Sequence, residues 1–261
     1  TLTHARSQLI QFHIKNCKPS QALKHVNMLS KTPNYPSTDL EKCYTKLLDI
    51  FPNHTETIYD YCNYLIQNKK ITDSLTILSN LQKQADPHKA FITTSLKRIH
   101  SINPTHPGFQ IQNIKWMIHN NQYLAALNTI ESITQNTTNI SMLKELTLIT
   151  TNLVSQDILI NQKEVNFCLA LLFFKQNNVE KSAIYCESCE KENEKVIQLK
   201  IAILENQNNL PKAKEMSGHL IHKSPNTYEY HKISQKIFLK NLENTTKKEN
   251  SPFINIWTHM I

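Results

Sequence analysis

Only two glycines, Gly108 and Gly218, occur in 261 residues. Gly-rich phosphate loops of the P-loop and dinucleotide types are thereby excluded, since both need several glycines for close backbone approach. Strand-rich folds are disfavoured too, because hairpin turns and bulges draw on glycine for positive φ. Long apolar runs are also missing. The longest, Cys168 to Phe174, ends at Lys175, far short of the roughly 20 residues a membrane helix needs. Residues 1–18 lack the apolar core of a signal peptide, although a sequence starting at Thr1 rather than Met leaves room for upstream targeting or catalytic segments. Arginine is scarce, at two of the 29 basic residues, and with it the bidentate contacts of sequence-reading nucleic-acid proteins.

Catalytic signatures are absent as well. No H-E-x-x-H or nucleophile elbow occurs, and no carboxylate pair stands out, so the sequence predicts a non-enzyme with no cofactor and no metal. Six cysteines, Cys17, Cys43, Cys62, Cys168, Cys186 and Cys189, are spread through helical patterns and do not form a dense secreted framework. That points to a reducing, cytoplasmic compartment. Cys186 and Cys189 have C-x-x-C spacing, yet no second pair follows at finger spacing, so buried structural cysteine is expected. His219 and His222 would complete a ligand set only if the next repeat folded back over it. The other histidines read as surface or turn residues.

What is present is internal repetition. At a shift of 52 residues, Asn16, Asn68 and Asn120 are each followed six places on by a small residue, Ala22, Ser74 and Ala126. Ile14, Ile66 and Ile118 precede them, and Leu23, Leu75 and Leu127 follow; between the copies, Pro52 matches Pro104 and His54 matches His106. Repetition at a fixed period marks an array in which each unit buries its apolar face against its neighbours. Period-3.6 patterning predicts about 14 helices, at 2–16, 20–31, 37–51, 54–67, 70–84, 88–102, 107–119, 122–134, 140–158, 163–176, 178–190, 193–206, 209–223 and 226–241. Asn68-Lys69-Lys70, Asn120-Asn121 and Asn177-Asn178 suit left-handed C-terminal caps. Ser37, Thr55 and Asn139 are candidate N-caps, and Pro211 fits a first turn.

Residues 55–87 resemble the tetratricopeptide repeat family. Tyr61, Cys62 and Leu65 stand at the apolar and small positions of its first helix, Ser74 at the small position of its second, Leu78 and Leu81 at the following core positions, and Pro87 closes the unit. Weaker matches run through Leu169, Ala170, Phe173, Ser182, Cys186 and Cys189, then Ile197, Ile201, Leu204, Ala213, Leu220 and Pro225. The resemblance implies an all-α solenoid of antiparallel helix pairs wound as a right-handed superhelix over 1–241. The 52-residue spacing departs from the family. An extra helix, Leu40-Tyr44-Leu47 and then Ile92-Leu96-Ile99, sits between the first copies, which leaves open a three-helix repeat or diverged units paired differently. Beyond 241, residues 242–251 read as a polar linker and 252–261 as an apolar capping or docking segment.

On function, the resemblance implies a protein-interaction scaffold or adaptor that takes a peptide or partner helix on a concave face. The groove positions it carries over are His4, Ser7 and Gln11, then Tyr59 and Asn63, then Ile111 and Lys115, then Phe167 and Leu171. The net charge of +8 is uneven: residues 1–38 and 87–130 contain no Asp or Glu, which would draw an acidic or extended protein segment. The alternatives are an RNA-binding helical repeat of pentatricopeptide type, disfavoured because no polar code recurs at the 52-residue period, and a regulatory or structural subunit of a larger assembly.

Overall fold

A computed structural model describes residues 2–84, 88–155, 161–190 and 192–257, the side chains of 155 and 245–257 excepted. Among the described residues the protein is all-α, with fourteen helices and no strand. In chain order they are α1 (Leu2–Lys15), α2 (Pro19–Ser30), α3 (Ser37–Ile50), α4 (Thr55–Gln67), α5 (Ile71–Gln82), α6 (Lys89–Ile102) and α7 (Pro107–His119). Then come α8 (Tyr123–Asn136), α9 (Ile140–Ser155), α10 (Gln162–Lys175), α11 (Val179–Glu187), α12 (Glu194–Asn206), α13 (Leu210–Lys223) and α14 (Tyr228–Trp257). Each expected helix is present. The last is longer than expected, because α14 continues through the stretch 242–251 read as a linker. That stretch has neither Gly nor Pro before Pro252, and polar composition alone does not end a helix. Pro87 and residues 258–261 of the apolar C-terminal segment lie outside the described residues.

The short loops follow one geometry. Cys17, Lys69, Asn121, Asn177 and Asn208 all have φ between 53° and 59°, and the residue after each donates its N–H back to a carbonyl five residues earlier, as Lys18 to His13, Lys70 to Leu65 and Asn178 to Phe173. This is the Schellman closure of a helix C-terminus. The recurring Asn is not always the left-handed residue. Asn16 and Asn68 instead donate their side-chain amides to the carbonyls of Phe12 and Tyr64, both at 2.8 Å, and the next residue, Cys17 or Lys69, takes the positive φ. Among the N-caps, Asn139 accepts from the Met142 N–H as expected. Ser37 and Thr55 are the first residues inside their helices, preceded by Pro36 and His54. Asn161, Asn178 and Asn193 cap α10, α11 and α12.

The chain divides into two compact units, Thr1–Trp116 and Met117–Ile261, where the sequence suggested one run to 241. Within each, helices pack on the next and next-but-one along the chain: α1 on α2 and α3, α2 on α4, and α4 on α6 in the first unit; α8 on α10, and α10 on α11 and α12, in the second. Small residues sit where pairs cross. Ala22, Ser74, Ser182 and Ala213 are fully buried, each twelve residues after a buried partner on the preceding helix: Ile10, Cys62, Ala170 and Ile201. Ser182 donates its hydroxyl to the Ala170 carbonyl at 2.8 Å, a close approach that a larger side chain would block. The interposed helices are equally integral. Leu40, Tyr44 and Leu47 of α3 share one core with α1 and α2, and Ile92, Leu96 and Ile99 of α6 share one with α4 and α5.

This packing assigns helices to rows. In the first unit α2, α4 and α6 form one row, and α1 packs on α3 in the other. A repeat of three helices is an odd number, so consecutive copies start on opposite rows. α1 and α4 hold equivalent sequence positions and unlike places in the fold.

Candidate functional site

The row α2–α4–α6 carries a cleft of about 610 Å³. Its walls are tied by polar side chains. Tyr44 donates its hydroxyl to Asn27 Oδ1 at 3.0 Å, and Asn27 Nδ2 donates to Asp60 Oδ2 at 2.6 Å. Burial pushes the Tyr44 phenol well above its ordinary value, and the Asp60 carboxylate adds to the effect, so Tyr44 is a donor at any physiological pH. Across α4 and α6, Arg98 donates to Asn63 Oδ1 at 2.6 Å. Tyr59 stacks on Phe91 with ring centroids 3.8 Å apart, and its hydroxyl meets His88 Nδ1 at 2.7 Å. Lys31, Tyr64, Gln67 and Asn68 also line the cleft, together with Leu40 and Tyr44 of α3. A second hollow along α2 and α4 shares Asn27, Lys31 and Asp60 with the first and adds Lys24 and Glu56.

Arg98 decides what this surface can hold. Its guanidinium is half-buried and bonded to a neutral amide oxygen, and among the described residues no carboxylate pairs with it. An arginine has five N–H donors in a fixed fork, and a carboxylate fits two of them.

The second unit has its own cleft, about 240 Å³, between α8, α10 and the start of α12. Here an ion pair crosses the wall, Lys195 binding Glu131 at 2.6 Å, and Lys163, Glu164 and Glu190 also line it. Asn161 and Asn193 in its wall are spent as helix caps. Cys168 donates to the Leu127 carbonyl, and burial, reinforced by Glu131 and Glu164, pushes its thiol up to about 12.

The positions carried over from the family separate into four groups. Asn63 lines the first cleft and Tyr59 the hollow beside it along α2 and α4. His4, Ser7 and Gln11 stand on α1, in the other row; His4 meets Gln8, Ser7 bonds the Thr3 carbonyl and Gln11 accepts from Lys46 at 2.6 Å. Ile111 is buried and Lys115 half-buried, its carbonyl accepting from Gln82. Phe167 lines the second cleft, whereas Leu171 packs on the α10–α12 core. The alternation of rows in the first unit explains why the positions on α1 part from those on α4. Lys24, Asn27, Lys31 and Arg98 were not anticipated. A signal for Arg98 existed: Gln11–Lys46 and Asn63–Arg98 are equivalent pairs 52 residues apart, in which an amide oxygen accepts from a cation on the next-but-one helix.

The C-x-x-C pair is buried at the end of α11, with both thiols free. A thiol–thiol hydrogen bond raises Cys186 and lowers Cys189. His219 and His222 are exposed on α13, and among the described residues no three metal-ligating side chains converge.

No protein-family model matches this sequence, and no curated protein matches it significantly. Among solved structures the chain is similar to that of Naa15/Naa10 bound to HypK-THB, at 11% identity and a TM-score of 0.39, over 97% of this chain and 42% of that one. It therefore spans less than half the length of that chain. The helical-repeat architecture stands on the packing described above, independently of this likeness.

Proposed function

We propose that the protein is a non-catalytic interaction scaffold, and that its first unit holds an acidic, extended segment of a partner protein along α2–α4–α6. The observation that carries this reading is the half-buried Arg98, bonded to an amide, in a cleft with Lys31 and close to Lys24. Asn27, Asn63 and Gln67 supply amides that suit a backbone, and the cleft is preformed, so little ordering cost is met on binding.

A labelled Glu/Ser peptide titrated by fluorescence anisotropy tests it against a Gln/Ser control. The acidic peptide binds the wild type, and Arg98→Glu with Lys31→Glu removes the binding. Equal affinity for both peptides would sink the proposal. The same positive charge supports a second reading, RNA binding. Preference for single-stranded RNA over the acidic peptide, with affinity falling steeply as salt rises, would replace the protein reading.

A further inference from the structure

The first cleft holds an anion as well as a cation. Asp60 lines it together with Arg98, and the two are held in the same way. Asn27 on α2 donates its amide to Asp60 on α4, and Asn63 on α4 accepts from Arg98 on α6, both at 2.6 Å. Each helix of the row thus holds the charge on the next helix of the row with a neutral amide. Asn27 is itself oriented from behind, because the Tyr44 hydroxyl donates to its Oδ1 and leaves Nδ2 to face Asp60. Such amides fix the charged groups in place without neutralising them. All four side chains are half-buried, and among the described residues neither Asp60 nor Arg98 has an ion-pair partner. A half-buried charge has lost part of its hydration, so an occupant that brings the opposite charge is favoured there.

Given the function proposed above, on which this rests, we infer that the acidic segment held along α2–α4–α6 carries a lysine or arginine two residues from one of its carboxylates. The cation meets Asp60 and the carboxylate meets Arg98. The spacing follows from the site. Asp60 and Asn63, which anchors Arg98, stand about one turn apart on α4, about 5 Å along its axis. Side chains on one face of an extended chain recur at i and i+2, about 7 Å apart, and neighbours in sequence point to opposite faces. A uniformly acidic segment would instead set a carboxylate against Asp60, and like charges brought together in a cleft oppose binding. Asp60 is therefore a specificity-determining residue, and Arg98 supplies the attraction.

The probe is a labelled peptide of alternating Glu and Ser whose central Glu is replaced by Lys, compared with the unmodified peptide by fluorescence anisotropy against the whole protein. The lysine makes the peptide less acidic, so attraction to the first unit's charge as a whole would weaken binding, whereas contact with Asp60 strengthens it by about threefold or more. The same lysine placed at a central Ser, on the opposite face of the extended chain, gives no gain. Asp60→Asn keeps an acceptor for Asn27 but removes the charge, and it reverses the preference, so that the unmodified peptide binds the tighter. A wild type that prefers the unmodified peptide would overturn the inference and leave the acidic-segment reading standing, and so would a gain from lysine that survives Asp60→Asn. Failure of all three peptides to bind would overturn both.

Discussion

The two units share one construction and diverge in charge. Residues 1–116 contain fourteen Lys and Arg against seven Asp and Glu, whereas residues 117–261 contain fifteen against fourteen. Nearly all of the net positive charge therefore belongs to the first unit. Their clefts follow suit: one keeps Arg98 on an amide, and the other closes Lys195 onto Glu131. The helix packing that places these groups is alike in both, so a repeat scaffold can hold its core rule fixed while its surfaces drift apart. Core and surface can then be perturbed separately.

The largest effect is expected where the units agree. Ala22 and Ala213 are both fully buried at a helix crossing, so Ala22→Leu and Ala213→Leu should each destabilise by about 1–3 kcal/mol through overpacking, read from urea melts. A large cost in one and none in the other would break the claim of common construction.

Binding should then divide the units. Arg98→Glu alone is expected to weaken the acidic peptide about tenfold, roughly the 1.4 kcal/mol of one charge-assisted contact. Lys195→Glu in the second unit should leave the affinity essentially unchanged. Equal losses would mean that the peptide senses overall charge and not a cleft.

The helix count, most helix ends and the small crossing residues were legible because each is a local or periodic property: Ser74 follows from the 52-residue spacing and Ser182 from the family resemblance, and both are buried. The cleft was legible in half. Tyr59 and Asn63 emerged from the family pattern, but the same pattern put His4 beside them, because it presumes a two-helix period. With three helices per repeat, side chains at matching sequence positions face different rows. Lys24 and Lys31 were hidden for another reason, since exposed lysines on a helix look alike until a neighbouring helix makes a wall of them. The continuation of α14 past 242 is not legible in composition, because the polar stretch there contains no residue that breaks the backbone.

A smaller contrast lies in the helix ends. The first unit places Cys17 and Lys69 in the left-handed region, whereas the second uses Asn121, Asn177 and Asn208. A β-carbon is costly there, and Asn bears the cost better than Lys. Lys69→Gly should therefore stabilise by about 0.5–1 kcal/mol after the added chain entropy of glycine is allowed for, and Asn177→Gly by less. Urea midpoints of the two variants measure the difference.

Acid should affect the first unit through a histidine pair. His13 and His25 stack with centroids 5.4 Å apart and planes within 9°. Burial, His13, Arg6 and Lys24 together lower the His25 pKa below 6.5. The unfolded chain then takes up its proton first, so stability falls as pH drops through 6.5 and stops falling below the lowered folded value. His25→Gln should flatten that part of the stability–pH curve, while a curve unchanged by the substitution would assign the acid response elsewhere.

The smallest effect tests whether the second cleft is held shut by its ion pair. Lys195 is largely exposed, and Glu131 also accepts from Gln135 at 3.1 Å, so the carboxylate keeps a partner when the lysine is removed. With the lysine end in solvent and the carboxylate keeping a second donor, the pair contributes about 0–1 kcal/mol, as exposed pairs do. Lys195→Ala should thus shift the urea midpoint only slightly, and added salt should shift the wild type toward the variant. A cost well above that range would make the pair a structural clamp. The lower charge of the second unit would then be a requirement of its fold, and not the result of surface drift.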